Sequence, residues 1–267
     1  MRIPKLIVSP LLELDAVALG GTLRRAVRNY GRGEPEDRRH GQLHLSEITS
    51  VVRGVRRERA LAPESYLRPC ETPRFVGAST GRSGTTWLRD VLSRGLANTH
   101  AVVREVGLFD LAQFRGAPYE YFQYANLPQR AVYRRYFRDF VLRRAYFIRR
   151  NLDGTVLGLC DLVPRRVVKS ALDRLDRRLE EARTLEEIER CFGDFYLWLF
   201  NAHAELVADG RPWISKEPPY GRNADQLFRM IPDARLVVLV RDGRDVALSM
   251  HERGWHPSVR HAMDRWR

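Results

Sequence analysis

One stretch, Arg74–Gly95 (RFVGASTGRSGTTWLRDVLSRG), constrains the fold more strongly than any other part of the chain. Its short apolar run from Phe75 to Ala78 predicts a buried strand, because turn-forming residues bound the run. After residue 86, apolar side chains recur at helical spacing as far as Gly95, which predicts a helix that ends there. The small residues between them, 79–86, predict a loop.

A strand, a small-residue loop and a helix in this order form a cradle for a phosphate-like anion. Glycines allow close backbone approach, and N–H groups at the helix start point at the negative charge. The loop differs from the nucleoside-triphosphate motif G-x-x-x-x-G-K-[ST], because Ser79 replaces the first glycine and Thr85 replaces the lysine. Its cation is Arg82, which lies before Gly84. A glycine-rich turn without a ligand is the alternative interpretation.

The segment GRSGTTWL resembles the 5′-phosphosulfate-binding loop of sulfotransferases that use 3′-phosphoadenosine-5′-phosphosulfate (PAPS). The resemblance implies that the cation and the small residues after it hold the 5′-phosphosulfate, and that the tryptophan lies near the adenine. On this chain the residues implied to bind the donor are Arg82, Ser83, Gly84, Thr85, Thr86 and Trp87.

A second segment, HAVVREVGLFD from His100, predicts a strand over Ala101–Val103 that ends near Glu105. Ligands of open α/β sheets collect at the carboxyl ends of strands. The EVGLFD part resembles the E-x-x-F-F-D segment of sulfotransferases that modify glycans, with Leu108 in place of the first aromatic residue. That resemblance implies that Glu105 is the catalytic base. A solvated carboxylate, or an ion pair with one of the many arginines, is the alternative.

The segment WISKEPPY places a lysine after a short apolar run. Ile214 and Ser215 predict the end of a strand, with Lys216 at its tip. The segment resembles the K-x-P-x-Y segment of the same family, which implies that Lys216 contacts the sulfuryl group or the bridging oxygen. An ordinary surface lysine is the alternative.

The last segment, ARLVVLVRDGRDVALSMHERG, contains the nearly continuous apolar run Leu236–Val240, typical of a central parallel strand. Arg241 follows the run, and Ser249 lies on the predicted helix beyond it. The pair resembles the arginine and serine that bind the 3′-phosphate in the family. A guanidinium fork and a hydroxyl two helical turns further on can converge on one phosphate. An ion pair of Arg241 with Asp242 or Asp245 is the alternative.

We predict a three-layer α/β domain with a mostly parallel central sheet, built on the P-loop-like strand–loop–helix. Residues 1–70 form an accessory N-terminal segment and residues 71–267 the sulfotransferase-like domain. Amphipathic patterns over about 118–210 predict a large helical insertion, the natural candidate for a cap over the acceptor site. Related enzymes usually continue past the 3′-phosphate segment, so a truncated C-terminal part of the domain stays open.

Composition limits the classes of partner. The net charge of +13 comes mostly from arginine, which suits phosphate and sulfate, but no pattern of a nucleic-acid-binding module occurs. We therefore predict no nucleic-acid partner. The three separated cysteines predict a reducing, cytoplasmic compartment, and the Cys and His spacings predict no metal site. No apolar run is long enough to span a bilayer, so residues 1–30 predict at most a peripheral membrane contact.

Together these residues predict transfer of a sulfuryl group from PAPS to a hydroxyl, or an amine, of a small-molecule or glycan acceptor. Glu105 takes the acceptor proton as general base. Arg82, Lys216 and the loop N–H groups stabilise charge on the transferring group and the leaving phosphate.

Two other functions stay open. One is a nucleotide kinase-like phosphoryl transferase with Asp161 and Asp242 as magnesium ligands, although Thr85 stands where its lysine belongs. The other is a non-catalytic basic protein that keeps a degenerate anion site and binds membranes.

Overall fold

A computed structural model of the chain describes residues 61–102, 112–123, 127–146, 149–150, 156–159 and 162–266. In chain order the elements are α1 (Pro63–Tyr66), β1 (Arg74–Ala78), α2 (Thr85–Gly95), β2 (His100–Ala101), α3 (Ala112–Gln123), α4 (Leu127–Phe140), a π-helical turn (Val141–Ala145), β3 (Arg149–Arg150), β4 (Val156–Leu157), α5 (Arg165–Glu181), α6 (Leu185–Ala208), β5 (Trp213–Lys216), α7 (Pro219–Arg222), α8 (Ala224–Met230), β6 (Arg235–Leu239), α9 (Gly243–Glu252) and α10 (Val259–Trp266).

Four parallel strands form the central sheet in the order β2-β5-β1-β6, while β3 and β4 form a separate antiparallel pair. In the register of the sheet, Val76 on β1 lies between Lys216 on β5 and Val237 on β6. The carboxyl ends of these three strands therefore meet at one edge, next to the loop that follows β1. The α/β fold with a parallel sheet, built on a strand–loop–helix, is confirmed.

Two glycines allow a helix to pack directly on the central strand. A Cβ atom on Gly77 of β1 would lie 2.4 Å from the backbone nitrogen of Gly221 in α7. In return, a Cβ atom on Gly221 would lie 2.6 Å from the backbone of Ala78. Backbone therefore meets backbone here, and α7 holds the segment after β5 against β1 through the bond from Ala78 N–H to Pro218 O (3.0 Å).

Aromatic side chains fill the core between the sheet and α6. The Phe75 ring packs edge-on against Trp213 and Tyr220, with centroids 5.6 and 5.0 Å apart, and Phe200 stacks on Trp213 at 4.7 Å. The buried Asn201 accepts a hydrogen bond from Trp213 Nε1 (3.1 Å), so the amide oxygen and the indole N–H are paired inside the apolar core. The core thus joins the sheet to a helix of the predicted insertion.

The helical region begins at residue 112, earlier than the predicted 118, and contains α3–α6. Its longest helix, α6, starts with a capping box in which Thr184 and Glu187 satisfy each other's backbone N–H groups. Most of its middle and C-terminal residues are buried. This helix is thus a central part of the domain core, which its amphipathic pattern alone does not reveal.

The prediction that Leu236–Val240 forms a central strand is wrong for the described part of the chain. The strand lies at one edge of the described sheet, and it spans Arg235–Leu239. Its valines Val237 and Val238 are exposed, and Val240 is 82% exposed. A continuous apolar run looks the same in a central strand and in an uncovered edge strand. The pattern shows which residues a strand contains, but it does not show which strands lie beside it.

The structure describes only part of the residues behind the predictions on cysteines, the N-terminal segment and membrane contact. Cys70 and Cys191 are free thiols, and burial raises the pKa of Cys70 to about 11. Cys160 and residues 1–60, which make up most of the predicted accessory segment, lie outside the described residues. Within the described ranges, no helix combines the length and the apolar composition that a bilayer span requires.

A pair of histidines joins β2 to α6. His203 Nδ1 donates to the carbonyl of Leu162 (2.8 Å), which leaves its Nε2 as the acceptor facing His100 Nε2 at 3.4 Å. Burial, His203 and two nearby arginines lower the pKa of His100 to about 4, and burial also lowers the pKa of His203. The His100 ring is therefore neutral in the folded protein near pH 6.

We expect Gly77→Ala to lower the free energy of unfolding by about 1–3 kcal/mol, the usual effect of forcing an atom into packed backbone. Urea unfolding followed by circular dichroism measures the change. Gly95→Ala is the matched control, because a Cβ atom at Gly95 meets nothing within 4 Å. Equal stability of the two variants would contradict the close approach of β1 and α7.

The histidine pair predicts a loss of stability in mild acid. Between pH 6.5 and about 4 the unfolded chain binds a proton at His100 that the folded protein does not bind, so the free energy of unfolding falls as pH falls. Urea unfolding at several pH values should show a smaller decrease over this window in His100→Gln. Parallel curves for the variant and the wild type would rule out this origin of the acid sensitivity.

Candidate active site

The loop after β1 has the conformation of an anion cradle. Gly84 has φ 93° and forms the N-cap of α2, a left-handed conformation that favours glycine. Arg82 has φ 65°, which is uncommon for a side chain of this size. The Ser83 hydroxyl donates to Thr80 O (3.0 Å) and closes the loop on itself. The predicted strand, loop and helix are therefore present in the predicted order.

The first turn of α2 supplies the N–H groups that an anion needs. Leu88 N–H bonds to Gly84 O (3.1 Å), so the amides of residues 85–87 precede the first intrahelical bond. Thr85 is buried, whereas Thr86 is exposed and Trp87 is 67% exposed. The apolar residues that predict the helix are thus not its buried face.

The loop contacts the segment predicted to bind the 3′-phosphate. Arg82 Nε donates to the hydroxyl of Ser249 on α9 at 3.1 Å. Arg241, which follows β6, donates from Nη1 to the backbone carbonyl of Arg82 at 3.2 Å. Three residues predicted from two segments of the sequence, about 160 positions apart, therefore form one cluster.

An aromatic residue that the sequence analysis does not include lies on this cluster. The Trp255 ring centroid is 5.8 Å from the guanidinium carbon of Arg82. A Cβ atom on Gly81 would lie 3.2 Å from the Trp255 ring, so this loop glycine allows the indole to approach. Trp255 follows Gly254, whose φ of 68° turns the chain after α9. A glycine directly after an amphipathic helix is a sequence signal for that turn.

Lys216 is the last residue of β5 and lies beside Val76, close to the start of the loop. It is only 5% exposed, in contrast to an ordinary surface lysine. Glu217, the next residue, is also buried, and its N–H bonds to Val76 O (3.2 Å). The strand pairing therefore fixes the backbone on both sides of the lysine at the carboxyl edge of the sheet.

Glu105, the predicted base, lies outside the described residues, and the described range before it ends three positions earlier at Val102. Strand β2 spans His100–Ala101, and Val102 N–H continues the ladder to Ile214 O at 2.9 Å. The buried guanidinium of Arg89 on α2 donates to Val102 O (3.1 Å) and pairs with Asp90. A buried arginine inside a helix is invisible to motif reading, because the helical pattern suggests an exposed position.

The alternative partners of Arg241 are weak or already occupied. Asp242 caps α9 through Arg244 N–H (2.8 Å) and pairs with the Arg244 guanidinium, which lowers the Asp242 pKa to about 2. Asp245 lies 3.7 Å from Arg241, and both side chains are substantially exposed. An exposed pair at this distance contributes little, so Arg241 keeps most of its attraction for an anion.

The structure gives no support to the predicted magnesium ligands of the kinase alternative. Asp242 is committed to Arg244, and Asp161 lies outside the described residues. In the part of the chain that the structure describes, no group of three or more His, Cys, Asp or Glu side chains could hold a metal ion.

An α/β domain with a P-loop-like loop and converging arginines defines a class of anion-binding proteins. The model of the sulfotransferase family matches residues 73–266. Because this match spans most of the chain, the protein belongs to the sulfotransferase family, as its motifs predict. The sulfotransferase STF1 from Mycobacterium tuberculosis H37Rv, a solved structure, matches at 16% identity over 96% of this chain and 72% of that chain, with a TM-score of 0.36. No curated protein matches the chain.

Proposed function

We propose that the protein transfers the sulfuryl group of PAPS to a hydroxyl, or an amine, of a small-molecule or carbohydrate acceptor. The observation that carries the proposal is the hydrogen bond between Arg82 and Ser249. These residues belong to two motifs that the family resemblance assigns to opposite phosphates of one nucleotide. Their contact brings the two motifs together at one edge of the sheet, which supports a donor that carries two phosphate groups.

The charges of this edge fit the donor. Among the described residues no carboxylate pairs with Arg82, and Arg241 has only the distant Asp245. Two guanidinium groups near one loop, with little compensation, favour a ligand that carries several negative charges. The donor has a 3′-phosphate and a 5′-phosphosulfate, so its charge matches this excess.

The donor supplies an activated sulfuryl group, and the chain supplies orientation and charge. The acceptor oxygen forms a bond to sulfur while the bond from sulfur to the 5′-phosphate oxygen breaks. In this proposal Glu105 takes the acceptor proton, and Lys216 stabilises the charge that develops on the departing oxygen. The N–H groups at the start of α2 hold the 5′-phosphate in line, since positioning dominates transfers of this kind.

The proposal includes a reducing, cytoplasmic compartment and no nucleic-acid partner. The free thiols of Cys70 and Cys191 support the first point. Ion pairing between helices supports the absence of a nucleic-acid partner, because carboxylates neutralise arginines of the helical region. Arg134 and Arg138 of α4 pair with Glu180 and Asp173 of α5, both at 2.7 Å. A peripheral membrane contact of residues 1–30 stays a prediction.

Calorimetric titration with adenosine 3′,5′-bisphosphate, the desulfated product, tests the donor site without knowledge of the acceptor. We expect wild-type protein to bind it, and Arg241→Ala to bind about 10- to 100-fold more weakly, the effect of losing one charge-assisted contact. Arg235→Ala is the control, because it removes the same charge from the opposite end of β6. Equal weakening by both variants would indicate general charge attraction and not a site.

Replacement of Glu105 by Gln tests the base. We expect sulfuryl transfer, measured as release of the bisphosphate from PAPS with a panel of hydroxyl and amine acceptors, to fall about 100-fold or more. Affinity for the bisphosphate should stay unchanged, since the base contacts only the acceptor. Parallel loss of turnover and of binding would reject the role of Glu105 as base. The exposed Glu64 provides a control as Glu64→Gln.

A further inference from the structure

The long helix α6 belongs to the helical insertion, yet its side chains reach the segment that carries Lys216. Asn201 of α6 accepts the hydrogen bond from Trp213, the first residue of β5. Earlier on the same helix, the Tyr196 hydroxyl bonds to the hydroxyl of Tyr220 in α7, beyond the end of β5. One helix therefore holds the chain both before and after Lys216.

Three buried hydroxyl groups connect α6, α7 and β5. The hydroxyl oxygens of Tyr196 and Tyr220 are 2.6 Å apart, and the Tyr220 hydroxyl lies 3.0 Å from Ser215 Oγ. None of the three residues is more than 1% exposed. Because a hydroxyl both donates and accepts, the Tyr220 hydroxyl can donate to one neighbour and accept from the other. The chain of hydroxyls thus links the insertion to Ser215, the residue directly before Lys216.

The turn after β5 is tied to β1 by its backbone. Glu217 N–H bonds to Val76 O (3.2 Å), and Ala78 N–H bonds to Pro218 O (3.0 Å). Tyr220 N–H bonds back to Glu217 O at 3.1 Å and closes the turn. The Tyr220 ring is therefore attached to a short turn that β1 fixes on one side, and its hydroxyl adds the attachment to α6 on the other side.

The position of Lys216 matters more than its presence for the role proposed above. A cation stabilises charge on a departing oxygen only when it is held close to that oxygen before the bond breaks. Removal of the Tyr196 hydroxyl would take away one buried partner of the Tyr220 hydroxyl, and buried polar groups are costly to leave without their partners. The turn could recover a partner only by moving, and Lys216 would move with it.

We propose that Tyr196 is a positioning residue for the transfer step. Through Tyr220 and Ser215 it holds Lys216 at the place from which the ammonium stabilises the departing oxygen. The inference rests on the proposed function and adds to it a residue that belongs to none of the sequence motifs. A helix of the insertion then supports the lysine, in addition to the predicted role of the insertion as a cap.

Tyr196→Phe tests the proposal because it removes the hydroxyl and keeps the ring. We expect kcat for sulfuryl transfer to fall about 5- to 20-fold, while KM for PAPS changes less than about 2-fold, since the lysine acts on the departing oxygen. Tyr121→Phe is the matched control, because Tyr121 is equally buried and its hydroxyl donates to Leu179 O (3.0 Å) within the helical region. Equal kcat in the two variants would overturn the proposal.

A double-mutant cycle shows whether Tyr196 acts through the lysine. In the Lys216→Met background, Tyr196→Phe should lower the remaining kcat less than about 2-fold, because the group that it positions is absent. Ser215→Ala should reduce kcat in the same way as Tyr196→Phe, and the two effects should be less than additive. Full additivity of Tyr196→Phe with Lys216→Met would contradict an action through the lysine.

Chemical modification separates this inference from the proposed function. The rate at which acetic anhydride modifies Lys216, followed by mass spectrometry, reports the protection of this buried amine without any sulfuryl transfer. We expect Tyr196→Phe to raise the rate at least about 3-fold and Tyr121→Phe to leave it unchanged, with thermal unfolding showing that both variants are folded. Equal rates in all three proteins would overturn the inference. A raised rate in a chain whose wild type neither binds the bisphosphate nor transfers the sulfuryl group would overturn the proposed function instead.

Discussion

The site depends on the position of β1 between two parallel strands. Its pairing with β5 and with β6 brings three strand ends to one edge. The loop follows β1, Lys216 is the last residue of β5, and Arg241 lies two residues after β6. The order of strands is not the order of the sequence, so the elements that meet here come from residues about 160 positions apart. The two glycines that face each other across β1 and α7 let this arrangement close without a gap.

Much of this arrangement could be predicted from the sequence, because its determinants are local. The strand, loop and helix around Gly84 follow from small residues at a turn and helical periodicity beyond it. The order of motifs along the chain then predicts a parallel sheet. The sequence also predicts which cations lie at the strand ends, since Lys216 and Arg241 directly follow apolar runs.

The sequence could not show which residues contact each other in the folded protein. An apolar run does not reveal whether a second strand covers it, so β6 was expected in the middle of the sheet and lies at an edge of the described one. Arg89 lies in a helix and is only 4% exposed, whereas an arginine in a helix is usually expected to be solvated. Trp255 belongs to no motif, and its contact with Arg82 depends on a turn formed far along the chain. Such contacts are set by tertiary packing and leave no periodic trace.

The arginines of this chain have two different roles, which amino-acid composition alone does not distinguish. Between the helices α4, α5 and α6 they pair with carboxylates, as Arg138 does with Asp173 and Arg178 does with Asp194. Two of them, Arg174 and Arg178, also lie on the face of Trp198. Around the loop, by contrast, carboxylate compensation is weak. The formal charge of the whole chain is therefore a poor measure of where it attracts anions.

The left-handed backbone conformation of Arg82 matters for attempts to stabilise the protein by mutation. A left-handed conformation costs a residue with a side chain about 1 kcal/mol, and glycine adopts it with little cost. Methods that stabilise proteins by relieving such positions would select Arg82→Gly early. The resulting chain would gain stability and lose the guanidinium that contacts Ser249 and Trp255. At this position a higher melting temperature is thus a sign of a damaged site.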